Sequence, residues 1–219
     1  MLFPVTRGGT AEPQPSLHGE SFSNVQTSSQ TLDPSQLLKK VRDALNRIKP
    51  FQVRFVQQVY GDEQPDAKTL PDIEESGEIL FKDDRRLKWT YLKPDLKIFL
   101  LENDNYKFYD EDNEQLTVGK IKDRGGQWIW QLFFSDDILP YARVGDAGKT
   151  IFIKKEDAQE PLNVEIQLNS RYLPVRVIQQ DRGTGARMVY TFTDYKENVE
   201  ITDRAFELNV PDDVEIIDG

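Results

Sequence analysis

The chain has 219 residues with 38 acidic against 28 basic side chains, a formal net charge of −10, so it lacks the electrostatic footprint of a nucleic-acid binder and the basic clusters that adhere to anionic bilayers. It has no cysteine, which excludes disulfides, thiolate metal sites and cysteine nucleophiles, and its single histidine, His18, lies in a polar N-terminal stretch, which removes histidine-based triads and metal sites needing two or more histidines from the domain. Hydrophobic residues make up 37% and charged residues 30% of a chain without any run near the ~18 apolar residues a membrane helix needs, which suits one soluble domain.

Residues 1–31 are rich in Gly, Pro, Ser, Thr and Gln with no periodicity, and they read as a mobile tail that cannot bury enough surface to offset its ordering entropy. The stretch MLFPVTRGG lacks the basic start and apolar run of a secretory signal, so export is not legible there. The folded domain is expected over residues 32–219. It opens with a helix, because Leu37, Leu38, Val41, Leu45 and Ile48 form one apolar stripe at helical spacing. Asp33 or Ser35 can cap it, Pro34 suits its first turn and Pro50 ends it.

After Pro50 the period changes to two. In FQVRFVQQVY, Phe51, Val53, Phe55 and Val59 alternate with Gln52, Arg54 and Gln58, as a sheet with one solvated face requires. Similar runs follow in GEILFK, RLKWTYL, KIFLLE, NYKFYD, KTIFIKK, LNVEIQLN, YLPVRVIQQ and RMVYTFTDY, joined by turn sequences such as ENDN, DEDN and DRGTG. About ten short strands with tight links predict an antiparallel meander, not a parallel sheet with crossover helices. One segment breaks the pattern. Trp128, Ile129, Trp130, Leu132, Phe133 and Phe134 crowd together without a period of two, and two readings stand: a helical turn laid over an apolar opening, or a plug of ordinary core.

No chemistry emerges from the polar residues. The adjacent acids Asp83 with Asp84, and Asp136 with Asp137, would point to opposite faces of a strand and read as solvated turns, not as a hydrolytic pair. The glycines at 125–126 and in DRGTG match no phosphate-cradling pattern. The chain therefore reads as a non-enzyme without cofactor or metal. The conspicuous feature is instead a set of large apolar residues sharing the inward phase: Phe55, Leu80, Leu87, Trp89, Tyr91, Phe99, Phe108, Trp128, Trp130 and Phe133. Each could simply fill the interior, since strand aromatics commonly do, and only the set in a barrel held open would make a lipid cavity.

At this point the sequence resembles the periplasmic lipoprotein carrier family, the LolA group. After the amphipathic helix comes F-x-x-x-F-x-Q (Phe51, Phe55, Gln57), then Gly77 opening GEILFK, then LKWTYLKPD and NYKFYDEDNEQLTV. The C-terminal end runs from a YLP turn through YTFTDYKEN to VEI, AFELNVP and VEIID, with Asn198, Ile201, Phe206, Leu208, Pro211 and Val214 at the family's spacing. The similarity covers about residues 34–218 and lies in the order of the motifs.

The resemblance implies an incomplete antiparallel β-barrel of about ten to eleven strands, with an N-terminal α-helix and a short helical lid over a hydrophobic cavity. It implies a monomeric periplasmic carrier that takes the acyl chains of lipoproteins from an inner-membrane releasing transporter to an outer-membrane receptor. A non-transporting envelope lipid-binding or sensor module on the same scaffold is the alternative. Where enteric members carry a lid-latching Arg-Pro pair, this chain has Asp83 and Asp84, so the latch is expected to pass to Arg85 or Arg86, bonding the 128–134 segment.

Overall fold

In a computed structural model, the described residues are 32–61, 68–83, 85–120, 138–145, 148–156, 162–181 and 183–219. The tail at 1–31, and with it the expectation about its mobility, lies outside them, as does the 128–134 segment. Helix α1 spans Pro34–Ile48 and opens with a capping box: Asp33 accepts from the Gln36 backbone at 3.0 Å while the Gln36 side chain accepts from the Asp33 backbone at 3.3 Å.

Twelve described strands form one sheet: β1 (Phe51–Tyr60), β2 (Ile73–Asp83), β3 (Arg86–Lys93), β4 (Lys97–Glu102), β5 (Asn105–Asp110), β6 (Gln115–Lys120), β7 (Ala142–Val144), β8 (Thr150–Lys155), β9 (Leu162–Leu168), β10 (Pro174–Gln180), β11 (Arg187–Lys196) and β12 (Glu215–Asp218). Their order is β12-β6-β5-β4-β3-β2-β1-β11-β10-β9-β8-β7. Two antiparallel meanders, β1 to β6 and β7 to β11, are joined side by side through β1 and β11, and the curved sheet stays open between β12 and β7. This is the incomplete barrel expected from the sequence.

Two corrections follow. The expected strand count is exceeded by short edge strands, three residues in β7 and four in β12, too brief to show a period of two. The meander is also not wholly antiparallel, because β12 pairs parallel with β6, Ile216 opposite Leu116 and Asp218 opposite Val118. The chain reaches that position by crossing the sheet's outer face after β11, a route that local sequence cannot show.

The inner face is the one that receives α1. Leu37, Leu38, Val41, Ala44, Leu45 and Ile48 are buried there in one apolar cluster with Phe51, Val53, Ile79, Ile151, Val164, Ile166 and Val177. The helix is tied at its C-terminal end and near its middle. Asn198 and Val199 donate to the carbonyls of Ile48 and Pro50, each at 3.0 Å, and Lys40 donates to the Tyr172 hydroxyl at 3.2 Å.

The outer face of β3 to β6 is covered by the chain between β11 and β12. Leu208, Val210 and Val214 pack on a second cluster of Ile98, Tyr109 and Leu116. A 3-10 turn at Asp203–Phe206 buries Phe206. Lys88 donates to the carbonyls of Ala205 (3.1 Å) and Glu207 (2.9 Å), and this burial pushes the Lys88 ammonium below the usual lysine range. Arg86 pairs with Glu102 (3.0 Å) and Asp203 (2.6 Å) and stacks its guanidinium over the Phe206 ring at 4.7 Å.

Candidate functional site on the inner face

The ladder brings the sequence's apolar candidates from distant strands into one patch. Phe55 on β1 pairs with Gly77 on β2, and Gly77 pairs with Tyr91 on β3. Ile79 pairs with Trp89, Trp89 with Phe99, and Phe99 with Phe108, so three aromatic rings line up across β3, β4 and β5. Leu87, one pair along from Trp89, sits between Phe81 and Leu101 in the same phase.

Gly77 makes this patch possible in two ways. A Cβ there would fall 1.9 Å from the Thr90 carbonyl oxygen, so the β2–β3 approach, next to a register shift at Ser76/Gly77, needs hydrogen at that position. The absent side chain also leaves room for its two ladder neighbours to meet above it. The Phe55 and Tyr91 rings lie 5.0 Å apart edge to face. Phe55 meets Trp89 at 5.1 Å, also edge to face, and Trp89 stacks on Tyr91 at 6.1 Å and meets Tyr190 at 5.8 Å. Such pairs add ~0.5–1.5 kcal/mol each beyond the burial of their area. Phe55, Leu87, Trp89 and Phe99 are thereby buried, while Tyr91 and Phe108 are half-buried.

Some candidates do not join the patch. Leu80 pairs with Gln52 and Lys88, the residues of the opposite parity, and so faces outward, half-buried, while its neighbours Ile79 and Phe81 point into the core. In GEILFK three consecutive apolar residues give no phase of their own, which is why the sequence placed Leu80 on the wrong face. Trp128, Trp130 and Phe133 lie outside the described residues.

The expected latch partner, the 128–134 segment, lies outside the described residues, and the arginines are placed as follows. Arg86 belongs to the outer face, where its described partners are Glu102, Asp203 and Phe206. Arg85 is exposed in the β2–β3 turn, its backbone N–H donating to Asp83 at 2.9 Å and its carbonyl accepting from Asn103 at 2.7 Å.

The structure adds residues that sequence reading missed. Tyr190 and Phe192 enter from β11 opposite Gln57 and Phe55, a placement compatible with the alternation in RMVYTFTDY but fixed only by the β1–β11 register. Tyr106 stacks on Phe99 at 5.9 Å. More unexpected are polar groups: Gln57 and Glu75 are each only 8% exposed. Gln57 accepts from the Tyr91 hydroxyl at 2.8 Å, and Glu75 accepts from Lys97 at 2.6 Å. The bond to Glu75 raises the Lys97 ammonium above its usual range, and burial raises the Tyr91 and Tyr190 hydroxyls. A glutamate and a lysine in an otherwise mixed charged background carry no local signal that they turn inward.

The residues brought together are apolar rings with hydroxyl and amide partners. They can hold or release apolar surface, and they offer no nucleophile paired with a base.

Comparison with known proteins agrees. The model of the family described as outer membrane lipoprotein carrier protein LolA matches residues 46–209. An outer-membrane lipoprotein carrier protein of Pseudoalteromonas translucida is 26% identical over 192 residues, 85% of this chain and 88% of the relative. The Pseudomonas aeruginosa carrier is 24% identical over 191 residues, 84% of this chain and 89% of the relative. Among solved structures, an uncharacterized conserved protein from Thermus thermophilus has the same fold, with a TM-score of 0.51 at 13% identity over 84% of this chain and 98% of that one. With α1, the open sheet and the ordered motifs from Phe51 to Leu208 all falling within or beside the matched region, the chain belongs to the outer-membrane lipoprotein carrier family.

Proposed function

We propose that this chain carries lipoproteins across the periplasm by taking their acyl chains against the aromatic patch of the inner face, Phe55, Leu87, Trp89, Tyr91, Phe99 and Phe108, with Trp128, Trp130 and Phe133 contributing from the segment after β6. It collects cargo from an inner-membrane transporter and yields it to an outer-membrane receptor, acting as a monomer and without catalysis. Family membership supports the carrier role. The observation that carries the site is the closure of the rings over Gly77: side chains that cover one another at 5.0–6.1 Å hide the patch when it is empty. Burying acyl chains at about 0.8 kcal/mol per CH₂ compensates for parting them. Exchange of ring–ring for ring–acyl contact keeps the net affinity modest, as a carrier that must release its load requires.

The test is release from membranes. The purified chain, mixed with vesicles bearing a triacylated lipoprotein and the releasing transporter, should leave with the lipoprotein in a soluble complex, and extracts of that complex should contain its acyl chains by mass spectrometry. A chain recovered bare, with the lipoprotein still in the vesicles, would overturn the reading.

A further inference from the structure

Among the described residues the inner face is largely apolar, and its buried polar side chains, Gln57 and Glu75, lie on one line. On β1 the buried run Phe51, Val53, Phe55 ends at Gln57, and the remaining residues to Tyr60 are only half-buried. On β2 the exposed Ile73 and Glu74 precede buried Glu75. The β1 ladder sets Gln57 opposite Tyr190 on one side and Glu75 on the other, and Lys97 on β4 lies opposite Tyr91. Tyr190, Gln57, Glu75, Tyr91 and Lys97 therefore form a polar row where the aromatic patch gives way to solvent. Two hydrogen bonds knit it, Tyr91 to Gln57 at 2.8 Å and Lys97 to Glu75 at 2.6 Å.

Stability does not account for a largely buried ion pair in such a place. Desolvating two charges costs several kcal/mol per ion, and a well-packed apolar pair of the same volume is commonly as stable or more so. A lysine has three donors and a carboxylate about four acceptor positions, and the Lys97–Glu75 bond uses one of each. Among the described residues, the pair thus retains donors for carbonyl oxygens and acceptors for N–H groups, at the rim of an apolar surface and one ladder step from Phe55.

Accepting the carrier reading above, on which this rests, we infer that the Gln57–Glu75–Lys97 row recognises the linkage at which acyl chains join a peptide terminus: Lys97 donates to ester carbonyls and Glu75 accepts from the amide N–H. Chains laid along Phe55, Trp89 and Phe99 bring their carbonyl ends to this level. The row makes the site selective for acylated peptides over plain hydrocarbon.

The experiment compares two probes on the full chain by displacement of a fluorescent fatty acid. One is a synthetic tetrapeptide with two palmitoyl esters and one palmitoyl amide at its N-terminal residue, and the other is its counterpart with ether and alkylamine linkages. The wild type should prefer the ester–amide form about tenfold, the worth of one hydrogen bond to a charged group. In the double variant Glu75→Gln with Lys97→Met the ratio should fall to about one, while the ether form keeps its affinity within about twofold. Should that variant not fold, the wild-type ratio and the single variant Lys97→Gln decide alone. A wild-type ratio of one, or a ratio unchanged in the variants, overturns the inference and leaves the carrier reading intact. If neither probe displaces the fatty acid, or the fatty acid itself does not bind, the carrier reading fails and this inference with it.

Discussion

The two faces of the sheet are covered in different ways, one mainly by apolar packing and the other by directional bonds. The inner face of β1 to β5 is covered by α1 and by rings from its own strands, through contacts that are mostly apolar and non-directional. The outer face of β3 to β6 is covered by the chain from β11 to β12, which is held by directional bonds: Lys88 to two carbonyls, Arg86 to two carboxylates, and β12 to β6. Rings can exchange one apolar partner for another at little net cost, whereas a half-buried lysine pulled from its carbonyls leaves partly desolvated groups unmatched. On the proposed function, the inner face is expected to yield while the outer face stays stapled.

The largest effect should come from the inner face. Phe51→Ala removes a fully buried ring that stacks on Phe81 at 5.0 Å and packs with α1, and it should lower the unfolding free energy by ~3–5 kcal/mol in denaturant titration. A loss no greater than that of a surface substitution would mean that α1 is not held against the sheet there. Gly77→Ala comes next. With the Thr90 carbonyl 1.9 Å from the new Cβ, the β2–β3 ladder must shift, at a cost of ~1–3 kcal/mol. Near-ultraviolet circular dichroism should show the Phe55–Trp89–Tyr91 group disturbed, and acyl-probe binding should weaken more than the fall in stability explains.

The outer face sharpens the contrast. Lys88→Met removes both carbonyl contacts, so amide exchange over 203–210 should quicken by about tenfold while exchange in β1 and β11 changes little. Uniform quickening throughout would show that the two faces do not open separately.

The smallest effect is electrostatic. Hydrogen bonds from Lys82 and Arg86 hold the exposed Asp203 carboxyl below the usual aspartate range. Its contribution to stability is therefore complete above the ordinary aspartate value of ~3.9 and is lost as pH falls through the lowered folded value. The stability gap between wild type and Asp203→Asn should be small at neutral pH and should close only in that acid range. A gap that closed near pH 6 would assign it to some other group.

Much of the inner face was legible because burial on one side of a strand writes itself as a period of two. Phe55, Leu87, Trp89, Tyr91, Phe99 and Phe108 sit where their parity placed them. Leu80 failed for the converse reason: GEILFK is covered on both faces at that point, with Phe206 and the 203–207 turn held outside by Lys88, and a strand buried twice loses its period. The described partners of Arg86, Asp203 and Phe206, were not legible, because they are over a hundred residues away in the chain.

The sequence by itself determined the helix and its cap, nine of the strands and the aromatic content of the interior, all of which depend on neighbours a few residues apart. Only the tertiary structure decided that β1 and β11 join the two meanders, that β12 returns parallel to β6, and that Glu75 and Lys97 turn inward to meet. Those outcomes depend on which strand lies beside which. Pairing energy is shared among backbone groups common to every residue, so the choice rests on the total burial of the whole sheet rather than on any local pattern.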